Sequence, residues 1–168
     1  MSRSVEKNIA PAASTKQTPP FVKPRSVAAV CIVWKNKAKK EVVLIKRRSD
    51  HPHQLSGQWF LPGGRVEDEE QPVNAAVRET FEECGIVVVR PSLVDLYAFT
   101  ETWSDNSLSF SQPIVLAVYQ AFYKSGKLAP DECTAVEWIR KRDLKKYLTT
   151  TTIRSHFTPV VRKLLGVQ

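Results

Sequence analysis

The sequence predicts an α+β fold, an α/β/α sandwich around a mixed central sheet. Apolar, β-rich runs recur through the middle of the 168 residues, one amphipathic helical segment interrupts them, and a helical segment follows them. The length suits a single domain whose core needs no disulfide. The longest apolar stretch, near residues 26–34, is much shorter than the roughly 20 residues of a membrane span. We therefore expect no integral membrane protein.

The elements are predicted in order along the chain. Residues 1–24 contain four prolines among Ser, Thr, Lys and Gln, which predicts a flexible tail preceding a folded domain at residues 25–168. Pro72 suits the first position of the central helix, and Gly85 suits its end. Strands are predicted at 26–34, 41–48, 59–61, 86–89, 93–103, 114–123 and 135–139, and helices at 72–84, 142–148 and 153–165, the last restarting near Pro159.

The central helix separates apolar from acidic side chains. The face expected to pack on the sheet carries Val73, Ala76, Val77, Phe81 and Cys84. Glu79, Glu82 and Glu83 stand at i, i+3 and i+4 and share another face, which is expected to point outward. Clustered carboxylates suit Mg²⁺ or Mn²⁺, which would remove their mutual repulsion. A solvated acidic surface is the alternative.

The net charge of +8 is carried by the two ends of the chain. Residues 139–168 contain eight Lys or Arg and one Asp, whereas residues 26–138 contain 15 acidic and 12 basic side chains. Acid in the middle argues against a dedicated nucleic-acid partner. The three cysteines are scattered without C-x-x-C spacing, so we expect buried thiols and a reducing, cytoplasmic location.

Residues 64–86 resemble the Nudix box, G-x5-E-x7-R-E-U-x-E-E-x-G-U, in which U is aliphatic. Gly64 and Glu70 are followed, after seven residues, by Arg78-Glu79-Thr80-Phe81-Glu82-Glu83-Cys84-Gly85-Ile86. Every fixed letter is present, and only Thr80 departs from the aliphatic pattern. The preceding residues 59–64 are similar to the strand and turn that lead into the box. The resemblance extends more loosely over residues 26–148.

The resemblance implies a Nudix-like sandwich and a hydrolase of nucleoside diphosphates linked to another group. The implied ligands of Mg²⁺ or Mn²⁺ are the Gly63 carbonyl, Glu79, Glu82 and Glu83. Glu70 would support this cluster, and Arg78 would orient its carboxylates. The implied partner is a small-molecule nucleotide, and a homodimer is left open. A nucleotide- or RNA-binding module that uses the basic ends is the alternative from another class.

The general base and the substrate contacts are less constrained. By resemblance the base is a helix glutamate or a later acid, here Glu101, Asp105, Asp131 or Glu132. Glu132 is preferred because it precedes Trp138 as in the loop before the family's last strand. Strand alternation puts Lys46 and Arg48 on one side and Arg47 on the other. The predicted substrate-binding residues are Lys46, Arg48, Arg65 and Trp103, with His51, His53, Trp59, Phe99 and Phe110 as further candidates.

The run of residues 57–66 is similar to a segment of GDP-mannose hydrolases. Those enzymes depart from the standard box and cleave a carbon–oxygen bond. This chain keeps the standard box, and the resemblance therefore favours attack at phosphorus. A nucleotide sugar or ADP-ribose is the preferred substrate type. Oxidised nucleoside triphosphates and GDP-mannose-type glycosyl hydrolysis are the alternatives.

Overall fold

The computed structural model describes residues 26–50, 56–105 and 108–168, with only the backbone for 101–105 and 108–110. The predicted tail at residues 1–24, with His51 and His53, lies outside the described residues. The strands are β1 (Ser26–Trp34), β2 (Glu41–Lys46), β3 (Trp59–Phe60), β4 (Gly63–Arg65), β5 (Ile86–Asp105), β6 (Leu108–Gly126) and β7 (Ala135–Arg140). The helices are α1 (Pro72–Cys84), a 3-10 turn (Lys141–Asp143), α2 (Leu144–Tyr147), α3 (Thr150–His156) and α4 (Pro159–Leu165).

Strand β1 lies at the centre of a mixed sheet. It pairs in parallel with β6 along its whole length, from Ser26 opposite Ile114 to Trp34 opposite Phe122. On its other side it pairs antiparallel with β4 at its start and with β2 at its end. The remaining pairs, of β2 with β3 and β7 and of β5 with β6, are also antiparallel. The predicted mixed α+β sandwich is therefore confirmed.

Side-chain alternation along β1 builds a core on each face of the sheet. Ala29, Cys31 and Val33 pack with α1, while Val30, Ile32 and Trp34 pack with the C-terminal helices. The three cysteines are free and buried, as predicted. No helix in the described part of the chain is long and apolar enough to cross a membrane.

Several element boundaries differ from prediction. The two strands expected at 86–89 and 93–103 form the single strand β5, in which register shifts mark β-bulges. Its partner β6 is likewise longer than expected, and β4 was not predicted. The last helical segment breaks into α3 and α4. Thr158 caps α4 by accepting a hydrogen bond from Val161 N, and the helix restarts at Pro159 as expected.

Helix α1 has the predicted bounds but a different buried face. Phe81 was expected in the core and is 57% exposed, whereas Thr80 is fully buried and Glu83 is only 6% exposed. The hydroxyl of Thr80 donates to the carbonyl of Ala76 at 2.7 Å, which satisfies it inside the core. The expectation that all three helix glutamates point outward is therefore wrong. The sheet packs against a stripe that includes Glu83.

Candidate active site

The Gly63-Gly64 segment meets the end of α1 through a backbone contact. Gly63 has φ +148°, and a Cβ there would lie 2.3 Å from the carbonyl oxygen of Ala29. Only glycine accepts this close approach without a shift of the backbone. The approach lets Gly63 N donate to the carboxylate of Glu83 at 2.7 Å. A buried carboxylate is thereby held at the start of β4.

Glu83 is the most deeply buried acid described in the chain. Its pKa is raised to about 7, chiefly by burial and to a smaller extent by the negative charges of Glu79 and Glu132. The Arg47 charge and the Gly63 hydrogen bond act in the opposite direction. Burial also raises the pKa of Glu79. Two desolvated carboxylates therefore share this site, and the charge of Glu79 makes ionisation of Glu83 less favourable.

Arg47 lies on the inner side of this cluster. Its Nη2 donates to the Gly63 carbonyl at 3.1 Å, and its guanidinium lies 5.9 Å from the ring centre of Phe60. Its Nε is buried and has no hydrogen-bond partner among the described residues. The predicted substrate-binding residues on this segment are instead Lys46 and Arg48. The apolar run at residues 42–45, just before Arg47, is the signal in the sequence that could have favoured it.

Arg78 joins the other acids of the site. Its Nε and Nη2 bind both oxygens of Glu70, at 3.0 and 2.9 Å, and this pairing lowers the pKa of Glu70. Its Nη1 donates to Glu79 at 2.9 Å and to Glu82 at 2.8 Å. The guanidinium thus fixes three carboxylates. Among the described ion pairs, none joins Arg78 to Glu83.

The oxygen donors of this cluster suit a hard divalent cation. The described residues include no three acidic, histidine or cysteine side chains already grouped to hold an ion. The carboxylate oxygens are nevertheless the type that Mg²⁺ and Mn²⁺ prefer. The charge of Glu79 raises the pKa of Glu83, and those of Glu82 and Glu132 raise the pKa of Glu79, so a cation would relieve repulsion among these carboxylates. Glu82 is 39% exposed and can turn away from Arg78 towards a cation.

The remaining predicted residues lie in different places. Glu132 is exposed on the loop before β7, close enough for its charge to act on Glu79 and Glu83. Arg65 is exposed, and its carbonyl accepts from Arg78 at 3.1 Å. Arg48 pairs with Asp50 at 2.8 Å on the surface. Strand β2 ends at Lys46, so strand alternation does not extend to Arg48.

Two of the aromatic candidates pack against other rings, and the side chains of two others are not described. Trp59 packs edge-on against Tyr147 with ring centres 5.3 Å apart. Phe99 packs against Tyr97 and His156. The side chains of Trp103, Phe110, Glu101 and Asp105 lie outside the described part of the structure.

A family model of the NUDIX domain matches residues 24–161. The chain belongs to the NUDIX family. Nudix hydrolases act on phosphoanhydride bonds and generally require divalent metal ions. The match includes the glycine pair, Glu70, Arg78 and the helix glutamates described above.

Similar proteins differ in how much of this Nudix chain they share. Mouse diphosphoinositol polyphosphate phosphohydrolase 2 is 41% identical over 58 residues, which are 34% of this chain and 30% of that protein. The matched part thus spans about a third of the curated relative. Solved neighbours share the fold over most of the chain. A MutT protein, from a study of Aliivibrio salmonicida and Vibrio cholerae, has a TM-score of 0.62 at 23% identity, covering 84% of this chain and 97% of that one.

One Nudix neighbour was solved with a ligand. The NUDIX domain of Shewanella oneidensis NrtR, complexed with ADP ribose, has a TM-score of 0.56 at 17% identity. The alignment covers 90% of each chain. At this identity the likeness establishes the fold only.

Proposed function

We propose that this protein is a metal-dependent pyrophosphohydrolase. Its substrate is a nucleoside diphosphate linked to another moiety, of the nucleotide-sugar or ADP-ribose type, and its products are a nucleoside monophosphate and the phosphorylated moiety. The observation that carries the proposal is the buried Glu83 carboxylate, bonded to Gly63 N beside Glu79 and Arg47. Burying an acid is costly, and a desolvated acid beside other charged groups is typical of a functional site.

The residues have separate roles in this proposal. Glu79, Glu82, Glu83 and the Gly63 carbonyl hold Mg²⁺ or Mn²⁺, while Arg78 and Glu70 orient the carboxylates. When bound, the cation supplies an activated water and neutralises charge on the diphosphate oxygens. Arg47 supports the Gly63 carbonyl from behind through its 3.1 Å hydrogen bond.

Glu132 is the proposed general base, which accepts a proton from the attacking water. The support is electrostatic, because its charge raises the pKa values of Glu79 and Glu83 and it therefore lies near both. It is exposed on a loop, where movement could bring it to a bound substrate. Lys46, Arg48, Arg65 and Trp103 are proposed contacts for the phosphates and the base of the substrate.

A substrate panel tests the function. ADP-ribose, a nucleotide sugar, GDP-mannose and an oxidised nucleoside triphosphate are each incubated with Mg²⁺ or Mn²⁺ in heavy-oxygen water. The expected products are a nucleoside monophosphate and a sugar phosphate, with the label on phosphorus. Label on the sugar carbon would instead indicate glycosyl hydrolysis. If Glu82→Gln matches the wild type on every substrate, the assigned roles are wrong.

The local match to a diphosphoinositol polyphosphate phosphohydrolase favours a second candidate substrate. This match has 41% identity over 34% of the chain, whereas the MutT protein and the NrtR domain have 23% and 17% identity with 84% and 90% of the chain covered. A diphosphoinositol polyphosphate added to the same panel separates the candidates. Its hydrolysis, with no turnover of the nucleotides, would replace the first proposal by the second.

We also propose a cytoplasmic location. Three free cysteines, all buried, suit a reducing compartment.

A further inference from the structure

A basic cleft of about 600 Å³ lies away from the proposed active site. Its basic lining residues are Lys39, Lys40, Arg140, Lys141 and Arg142. The cleft is formed where the turn between β1 and β2 meets the end of β7 and the end of α4. Gly63 pairs with Val30 in the middle of β1, whereas the cleft lies beyond Trp34 at its end. Val30 and Trp34 are four steps apart along the strand, a distance of roughly 13 Å.

The positive charge of the cleft is only partly neutralised. Its one acidic lining residue, Glu41, already pairs with Lys35 at 3.1 Å. Arg142 shares Asp143 with Lys146. Among the described residues, Lys40, Arg140 and Lys141 have no ion-pair partner. The basic side chains that line the cleft therefore outnumber the acidic groups described near them, which favours an anion there.

Two of the lining lysines also contact a buried aromatic ring beside the cleft. The ammonium groups of Lys39 and Lys141 each lie 5.9 Å from the ring centre of Trp34. Trp34 is fully buried, and its indole Nε1 has no hydrogen-bond partner within the described chain. The contacts with the ring therefore hold both ammonium groups at this end of β1.

The backbone holds Lys39 in a conformation that it would rarely choose alone. Its φ is +52°, in the left-handed region that ordinarily favours glycine. Its Nζ donates to Gln120 at 2.8 Å, which ties the turn to β6. Strained positions of this kind persist where the surroundings over-determine them, and they cluster at binding sites. The lysines are thus presented by an ordered turn.

We propose that this cleft is a second binding site, for a small compound that carries several phosphate groups. Its volume lies within the range of small-molecule sites. Its cations match the closely spaced negative charges of a polyphosphate. No aromatic side chain of the described residues lines it, which argues against single-stranded RNA, whose bases stack on aromatic rings.

The test measures binding without turnover. Tripolyphosphate and inositol hexakisphosphate, a chain and a ring, are titrated calorimetrically into the full chain in EDTA. The paired variant Lys40→Ala/Arg140→Ala removes two exposed charges of the cleft. The control Lys124→Ala/Lys127→Ala removes two exposed charges elsewhere. Thermal melts establish that both variants fold.

The wild type is expected to bind at least one of the two probes at a single site. The Lys40→Ala/Arg140→Ala variant should bind that probe at least about tenfold more weakly, and the control within about twofold. Raising NaCl from about 50 to about 200 mM should weaken binding by the wild type more than binding by the Lys40→Ala/Arg140→Ala variant. Equal affinity in the wild type and the cleft variant, or a loss caused instead by Arg47→Ala, would overturn the proposal. Tighter binding of an RNA oligonucleotide than of either probe would also overturn it.

Discussion

The carboxylate of Glu79 lies directly against the α-carbon of Gly64. A Cβ on Gly64 would be 2.6 Å from the carboxyl carbon of Glu79. The neighbouring Gly63 is confined by backbone, since a Cβ there would be 2.3 Å from the carbonyl oxygen of Ala29. Adjacent glycines thus serve different needs. Gly63 permits the strand to pair, and Gly64 leaves room for a carboxylate of the site.

Alanine substitutions should separate these two needs. Gly64 does not adopt a left-handed backbone conformation, and a Cβ added there would meet the side chain of Glu79, which can move. Gly64→Ala should therefore keep the melting temperature within a few degrees but displace Glu79 and lower kcat at least about tenfold. Gly63→Ala should destabilise the fold by more than about 2 kcal/mol, because backbone must shift. Melting curves and initial rates measure both. Equal effects on stability would contradict this division.

A second prediction concerns Arg47. Arg47→Ala removes a hydrogen bond of 3.1 Å to the Gly63 carbonyl and the positive charge that lowers the Glu83 pKa. Loss of one charged hydrogen bond corresponds to a decrease in kcat/KM of roughly tenfold to a hundredfold. Arg47→Lys should recover only part of it, because lysine keeps the charge but not the planar fork.

Steady-state kinetics on the preferred substrate measure the Arg47 effect. Arg154→Ala on α3 removes an exposed arginine outside the site and should leave kcat/KM unchanged. Full activity of Arg47→Ala would show that the Gly63 carbonyl needs no support from this guanidinium.

The local elements were predictable because their signals are local. Helix α1 runs from Pro72 to Cys84 as expected, since proline suits its first turn and Gly85 adopts φ +72° at its end. The grouping of Arg78 with Glu70 and Glu79 was also predictable, from the resemblance of residues 64–86 to the Nudix box. The structure brings these three side chains within hydrogen-bond distance.

The environment of Glu83 was not predictable in the same way. Helical spacing places it beside Glu79 and Glu82, but its burial depends on Gly63, twenty residues earlier in the chain. The long strand β5 is predicted as two segments because bulges interrupt the alternation of its side chains. Long-range contacts of this kind leave little trace in local periodicity.

A third prediction uses two phenylalanines with opposite environments. Phe81 is 57% exposed on α1, whereas Phe157 is 4% exposed and stacks on Phe60 with ring centres 5.4 Å apart. Phe157→Ala should lower the free energy of unfolding by about 3–5 kcal/mol through lost packing and a cavity. Phe81→Ala should change it by less than about 1 kcal/mol. Urea denaturation of the two variants provides the comparison. A large loss of unfolding free energy in Phe81→Ala would show that Phe81 packs in the core.

The last prediction separates the proposed base from a proposed metal ligand. Glu132 is exposed on its loop and acts on Glu79 and Glu83 through its charge. Glu132→Gln should lower kcat by roughly 10²–10⁴-fold, because a positioned proton acceptor is lost. The same variant should keep its affinity for Mg²⁺ nearly intact. Glu82→Gln should instead raise the Mg²⁺ concentration needed for half-maximal activity, since it removes a ligand charge.

The matched control for this comparison is Asp131→Asn, which removes the neighbouring charge from the same loop. It should retain most of the wild-type kcat, because Glu132, the proposed base, is still present. A loss as large as that of Glu132→Gln would instead indicate a general effect of loop charge. Activity titrations with Mg²⁺, at saturating substrate, give kcat and apparent metal affinity for all three variants. Wild-type kcat in Glu132→Gln at saturating Mg²⁺ would rule it out as the base. The proton acceptor would then have to be sought on α1 or at Glu101.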